Sequence, residues 1–299
     1  MINILTSIFI YPGFLFAVLL GMLYRGVDRK LTARFQNRIG PPIWQAYYDF
    51  IKLMSKETIV PKGTSALFML SPVLAVAALF TLTASLPVFG SVAVPTLDNV
   101  ILVIYLILLS SVFVAFAGLA SNEAFGAIGA IRKITQMIAV ELPLLIVLFA
   151  AVYAAGSLSL SEIVSYQLSN GIFALSLPIG LVVFFLATLG SVHKKPFDIP
   201  DAKQEIVAGF YTEYSGAGLA LFELVHALKF YIMISLLIIL FFGGAASIYT
   251  FLIEFFLIGL LLSLVSAVLA RLKIDQLFKF YWVVVLPLAI IELARVMLL

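Results

Sequence analysis

Cysteine is absent from the sequence, and histidine occurs only twice, as His193 and His226. The first absence excludes disulfides, and it excludes cysteine-held zinc or Fe–S clusters within this chain. The second leaves too few imidazoles for a multi-histidine metal site, so neither metal nor cofactor is expected here. Charge is scarce as well. Only 11% of the 299 residues are charged, against about 25% in an ordinary soluble domain. Apolar residues fill the space instead, at 64% of the chain with a mean hydropathy of +1.19. Water-soluble folds have no use for such an excess, whereas a bilayer does. With no evident repeat or low-complexity stretch, a single membrane domain over 1–299 is the expected unit. Residues 1–24 lack a positive n-region and a small-residue cleavage site, so they are expected to be a retained span, not a leader.

A span needs roughly 20 mostly apolar residues. Eight stretches qualify: 4–24, 66–89, 99–120, 134–155, 172–191, 215–242, 248–270 and 280–298. Cations follow the odd-numbered spans. Sixteen of the eighteen Lys and Arg fall in those alternate loops. Positive loops stay cytoplasmic, so both termini are expected outside, in a plasma-membrane protein. Within the first long loop, Pro42 precedes apolar residues at 43, 44, 47, 50, 51 and 54. That stripe predicts an amphipathic helix lying on the membrane surface or against a partner. The expected fold is therefore all-α and polytopic, with about eight transmembrane helices and one surface helix.

Ionisable residues inside hydrocarbon are costly and tend to be paired and functional. The sixth span carries Glu223, His226 and Lys229 at i, i+3, i+6, near one helix face but drifting around it. A carboxylate, an imidazole and an amine in such a place suit proton transfer, and they equally suit a buried ion pair that fixes packing. Glu141 lies in the fourth span, where Pro143 predicts a weakened backbone ladder and hydrated irregularity. Glu292 and Arg295, at i, i+3, are expected to form a structural pair, and Glu254 to be interfacial. The stretch from His193 to Gly218 alternates acids and bases behind Pro196 and Pro200, as a docking loop on a rigid scaffold would.

That stretch also carries a resemblance. Pro196-Phe197-Asp198-Ile199-Pro200-Asp201-Ala202, then Glu205-Ile206-Val207-Ala208-Gly209 and Glu213-Tyr214-Ser215-Gly216, resemble the signature loop of a complex I membrane-subunit family, the NADH dehydrogenase subunit 1 family. This family includes the mitochondrial protein, its bacterial counterpart (the H subunit of complex I) and relatives in membrane-bound hydrogenases. Asp28-Arg29-Lys30, Ala33-Arg34, Gln36, Arg38-Ile39-Gly40-Pro41, Asp49 and Lys52-Leu53 agree with its first loop. The resemblance implies a non-redox membrane subunit of an ion-translocating oxidoreductase, with no catalytic centre of its own. It implies a cavity beneath a peripheral redox arm, with a chain of buried acids leading inward. Candidates for that chain are Glu141, Asp201, Glu205, Glu213 and Glu223, beside His226 and Lys229. Arg29, Arg34, Arg38 and Asp198 are candidates for shaping the cavity or docking the arm. Implied partners are a hydrogenase-like large subunit, a small Fe–S subunit and antiporter-like membrane subunits. Fe–S clusters, with or without a Ni–Fe centre, belong to those partners.

Three departures refine the resemblance. The loop after Gly40-Pro41 is shorter than in quinone-type members, Lys203 stands where Glu is usual, and His226 stands where Glu is usual with Glu223 one turn earlier. The short loop is most like the ferredoxin-linked membrane-bound hydrogenase and sulfane sulfur reductase branch of archaeal type. A quinone-site subunit is the alternative, and a free-standing cation/proton antiporter or a purely structural anchor are alternatives of other classes.

Overall fold

The computed structural model describes residues 2–11, 13–90, 92 and 94–298. Every described secondary-structure element is helical: α1 (Ile2–Phe9), α2 (Phe14–Phe35), α3 (Gln45–Met54), α4 (Ala66–Ala84), α5 (Val100–Ala120), α6 (Ala124–Ala155), α7 (Leu160–Asn170), α8 (Phe173–Ser176), α9 (Pro178–Ser191), α10 (Lys203–Ile206), α11 (Gly216–Phe242), α12 (Ile248–Val268), α13 (Ile274–Phe280) and α14 (Leu286–Leu298), with two short 3₁₀ turns and a π turn over Tyr281–Val285 between them. Seven helical stretches among the described residues are long and apolar enough to cross a membrane. The eighth expected span, 172–191, is divided. Pro178 opens α9 at its first turn, where its missing N–H costs nothing. The remaining apolar helix has 14 residues, about 21 Å of rise, short of a full bilayer core. The expected first span, 4–24, runs across residue 12, which lies outside the described residues.

Two expectations about the fourth span are corrected. Helix α6 begins at Ala124, ten residues before the expected boundary, because Glu123 caps it by accepting from the Gly126 N–H at 2.8 Å. Arg132 and Lys133 are therefore helical, not loop cations. The helix also runs unbroken through Pro143. Neighbouring helices hold the backbone where a proline would otherwise open it.

Helix α11 forms the centre. Its most apolar window is 94% buried, against 28% for the stretch from Ile274 to Leu298. A helix apolar all round has no face to offer water, so it belongs inside a bundle. Helices α2, α4, α9 and α12 pack around it, with α3 laid across one end. The approach of α2 to α11 depends on Gly21, since a Cβ there would sit 2.4 Å from the Ala227 carbonyl oxygen. The amphipathic helix expected in the first loop is α3. Ala46 faces inward, while Trp44, Tyr48, Ile51 and Met54 are exposed.

Candidate functional site

The basic segments around Arg25–Arg38 and Lys194–Lys195 come together at one end of the bundle, around a cavity of about 610 Å³. Its walls come from the last turns of α2, the 193–201 segment and the first turns of α11. Two helix ends facing it close in the same way. After α2, Asn37 takes a left-handed φ of 55° while Asn37 and Arg38 donate backbone N–H groups to Arg34 and Ala33. After α9, His193 takes φ 53° while His193 and Lys194 donate to Gly190 and Leu189. Both are Schellman closures, in which the positive-φ residue lets the chain turn back over the last carbonyls. Glycine is usual at that position. Histidine here turns its imidazole into the bundle, where it is only 5% exposed.

The segment after His193 is clamped from two sides. Gln136 of α6 donates to the Gly190 and Phe197 carbonyl oxygens at 2.7 and 2.8 Å. Arg271 grips Asp198 with two hydrogen bonds of 2.9 and 2.6 Å, the bidentate geometry in which Arg–carboxylate pairs are strongest. Gly129 lets the 209–210 backbone lie against α6, because a Cβ there would meet the Phe210 nitrogen at 2.6 Å. These contacts fix the cavity floor.

From the floor a line of polar side chains runs inward. Asp201 Oδ2 lies 3.0 Å from His193 Nδ1, and His193 Nε2 lies 2.6 Å from Lys133 Nζ. Burial drives the His193 imidazolium well below its ordinary pKa, and the charges of Lys133 and Lys229 add to the effect. The ring is neutral. Its Nε2 accepts from Lys133, so its Nδ1–H donates to Asp201. Deeper, Lys229 Nζ donates to Ser111 Oγ at 2.7 Å, and Ser111 donates to Glu141 Oε1 at 2.9 Å. Lys133, Lys229 and Glu141 are all buried. On the cavity side, Tyr211 donates its hydroxyl to His226 Nε2. Burial, then the negative charges of Asp201 and Glu223, raise the Tyr211 phenol well above its ordinary value, so it keeps its proton.

Ion pairs ring the cavity. Arg25 pairs with Glu223 and also donates to the Glu223 carbonyl oxygen at 2.7 Å. Lys194 pairs with Asp28. Arg29 pairs with Asp49 at 2.9 Å. Burial alone would raise the Asp49 carboxyl, but hydrogen bonds from Gln45 and Arg29 and the charges of Arg29 and Arg25 hold it below its usual value.

The candidates read from sequence divide accordingly. Arg29, Arg38, Asp198, Asp201, Glu223 and His226 line the cavity. Glu141 and Lys229 lie beneath it. The drift of Glu223, His226 and Lys229 around α11 gives each a different partner: α2, the 201–211 segment, and α5 with α6. Arg34 and Glu205 lie outside the lining; both are exposed, and Glu205 pairs with Arg132 at 2.5 Å. The Glu213 carboxylate makes no hydrogen bond or ion pair among the described residues, although its neighbour Tyr214 is anchored on Phe68, stacked at 4.1 Å. Sequence reasoning misses Arg25, Ser111, Lys133, His193 and Tyr211. Lys133 has a signal: it follows the Glu123 cap by ten residues, which places it inside a helix. The two histidines, expected to be too few for a metal site, flank Asp201, and one ligand atom from each of the three lies within 4.8 Å of the others.

Residues 8–297 match the family model for NADH dehydrogenase. The H subunit of the NADH-quinone oxidoreductase of Bacillus thuringiensis (strain Al Hakam) is 35% identical over 310 residues, covering 95% of this chain and 92% of that protein. The same subunit of Bacillus anthracis (strain A0248) shows the same identity and coverage. In the solved structure of the membrane-bound sulfane sulfur reductase, an archaeal respiratory membrane complex, one chain superposes with a TM-score of 0.90 at 27% identity. The alignment covers 99% of this chain and 98% of that one.

Proposed function

We propose, because this chain belongs to the NADH dehydrogenase family and is akin to its H subunits, that it couples a peripheral redox arm to ion movement in a ferredoxin-linked, complex I-like oxidoreductase. The observation that carries this reading is the polar line from the cavity floor to the buried Glu141. Asp201, His193 and Lys133 form its outer part, and Lys229, Ser111 and Glu141 its inner part. Redox events above the cavity change the charge or hydrogen bonding at Asp201. The two buried amines and Glu141 respond, since charges in so dry a place interact strongly. The moving ion is H⁺ or Na⁺.

In this reading the basic end faces the cytoplasm and both termini face out of a plasma membrane. The cavity lies under a hydrogenase-like large subunit and a small Fe–S subunit, and antiporter-like subunits adjoin the helices. The electron-transfer cofactors are theirs. The shortness of the loop after Gly40-Pro41 and the resemblance to the sulfane sulfur reductase chain support a non-quinone acceptor. Quinone reduction is the second reading, favoured by the 35% identity to the NADH-quinone oxidoreductase subunits. A free-standing antiporter draws no support from relatives that are themselves named as subunits.

The test is to supply reduced ferredoxin to the purified native complex in liposomes, with protons, a sulfur compound or a quinone analogue as acceptor. Turnover with protons or sulfur, accompanied by an ion gradient, is expected. Turnover only with quinone would transfer the chain to the second reading. Turnover with no gradient would remove the coupling role.

A further inference from the structure

We propose that His193, Asp201 and His226 form a binding site for a zinc-class divalent cation in the floor of the cavity. The three residues come from separate pieces of chain: the closure of α9, the loop before α10, and α11. They present two imidazoles and one carboxylate, the donor set that zinc and its neighbours in the transition series prefer. Asp201 Oδ2 stands between the rings, 3.0 Å from His193 Nδ1 and 3.7 Å from His226 Nε2. The two rings meet edge to face with centroids 5.6 Å apart. One ligand atom from each residue lies within 4.8 Å of the others, so movements of under about 1 Å in each side chain bring all three to the roughly 2.0–2.2 Å that zinc requires.

Access and rigidity favour the site. All three residues line the cavity, so a hydrated ion can reach them. Gln136 and Arg271 hold the segment bearing His193 and Asp201, so the ligand set is largely pre-assembled. Tyr211, against His226, supplies an oxygen for the fourth position or for a bound water. One feature opposes binding. The Lys133 amine sits 2.6 Å from the far nitrogen of His193 and repels a cation on the near one. Several other cavity charges are paired off, Arg25 with Glu223, Lys194 with Asp28 and Arg271 with Asp198. Lys133 is therefore the residue that sets how tightly the ion is held.

This gives a signature that a surface site would lack. The native complex, washed with chelator until its Fe–S spectrum alone remains, is titrated with Zn²⁺ and read by zinc X-ray absorption and by metal analysis. We expect one additional zinc per copy of the chain, with scattering from two imidazoles. His226→Gln is expected to weaken binding at least tenfold and to remove one imidazole from the spectrum. Lys133→Gln is expected to tighten binding several-fold, because it removes the repelling charge and offers His193 an acceptor. Should His226→Gln fail to assemble, Asp201→Asn reads the same loss of affinity with nearly unchanged shape. Equal zinc affinity in the wild type and the assembled ligand variants would overturn the site, as would a spectrum without imidazole.

Discussion

Two carboxylates are buried in this molecule with opposite consequences. Glu292 is fully buried, and its partners are close at hand: Arg295 one turn along α14 at 3.0 Å, and the Gly180 N–H at 3.2 Å. Arg295 in turn donates to the Ser176 carbonyl oxygen. The pair ties α14 to α8 and α9. Glu141 is equally dry, but its hydrogen bond crosses to another helix. Its Oε1 accepts from Ser111 of α5, which accepts from Lys229 of α11, while its Oε2 accepts no hydrogen bond among the described residues. A carboxylate satisfied within one turn is a fastener. One that feels two lysines across three helices, with an oxygen to spare, can exchange partners.

The sharpest way to break this comparison is to neutralise each acid in turn. Glu141→Gln is expected to leave the complex assembled and electron transfer running, while ion movement per electron falls about 100-fold, the scale on which positioned proton-transfer groups act. A gradient of normal size from the assembled variant would end the coupling role of Glu141. Glu292→Gln should do the reverse. Stranding Arg295 costs about 3 kcal/mol, at the lower end for a broken buried pair because the arginine is partly exposed. The yield of assembled complex falls, and coupling in what remains is normal. Replacing both members of each pair sharpens the contrast. Glu292→Leu with Arg295→Met should recover stability, since apolar isosteres replace buried pairs well. Glu141→Leu with Lys229→Met should recover assembly and still move no ions. Recovery of transport in that second double variant would show that Glu141 too is only a fastener.

Smaller effects test the frame around the cavity. Asp198→Asn removes one partner from a bidentate charge-assisted pair, a loss of about 1–3 kcal/mol. It should loosen the 193–201 segment and reduce the fraction of complex retaining its peripheral subunits. Unchanged retention would dissociate Asp198 from docking. The Arg29–Asp49 pair is partly exposed and should matter least. Asp49 titrates below its ordinary value in the folded chain, so the pair's contribution to α3 is fully present above the unfolded value and is lost as pH falls through the folded one. Hydrogen exchange along α3 should rise only on such acidification, and the pair's effect should be weaker at high salt.

The comparison also marks what is legible in the sequence. The Glu292–Arg295 pair follows from spacing alone, because i, i+3 neighbours on a helix meet. Seven of the spans follow from composition, and the amphipathic α3 from its stripe. The inward line is legible in pieces only. Glu223, His226 and Lys229 are visible as ionisable residues in an apolar run, but their partners lie 15 to 198 residues away in sequence. Periodicity carries no information about such separations. Lys133 looks like a loop cation as long as apolar content, and not the Glu123 cap, sets the start of α6. His193 is hidden for a different reason: a Schellman closure is signalled by glycine or asparagine, as at Asn37, and histidine in that position gives no such sign.

The burial of α11 bears on how the protein is made. This helix brings Glu223, His226 and Lys229 into the bilayer, and none of them is welcome there unaccompanied. Arg25, Ser111, Lys133, Glu141, His193 and Asp201 all precede it in the chain. When the ribosome delivers residues 216–242, the groups that receive those three side chains have already been synthesised. The order of translation thus supplies each costly residue with its companion on arrival, and the last helices, α12 to α14, have only to seal a centre that is already complete.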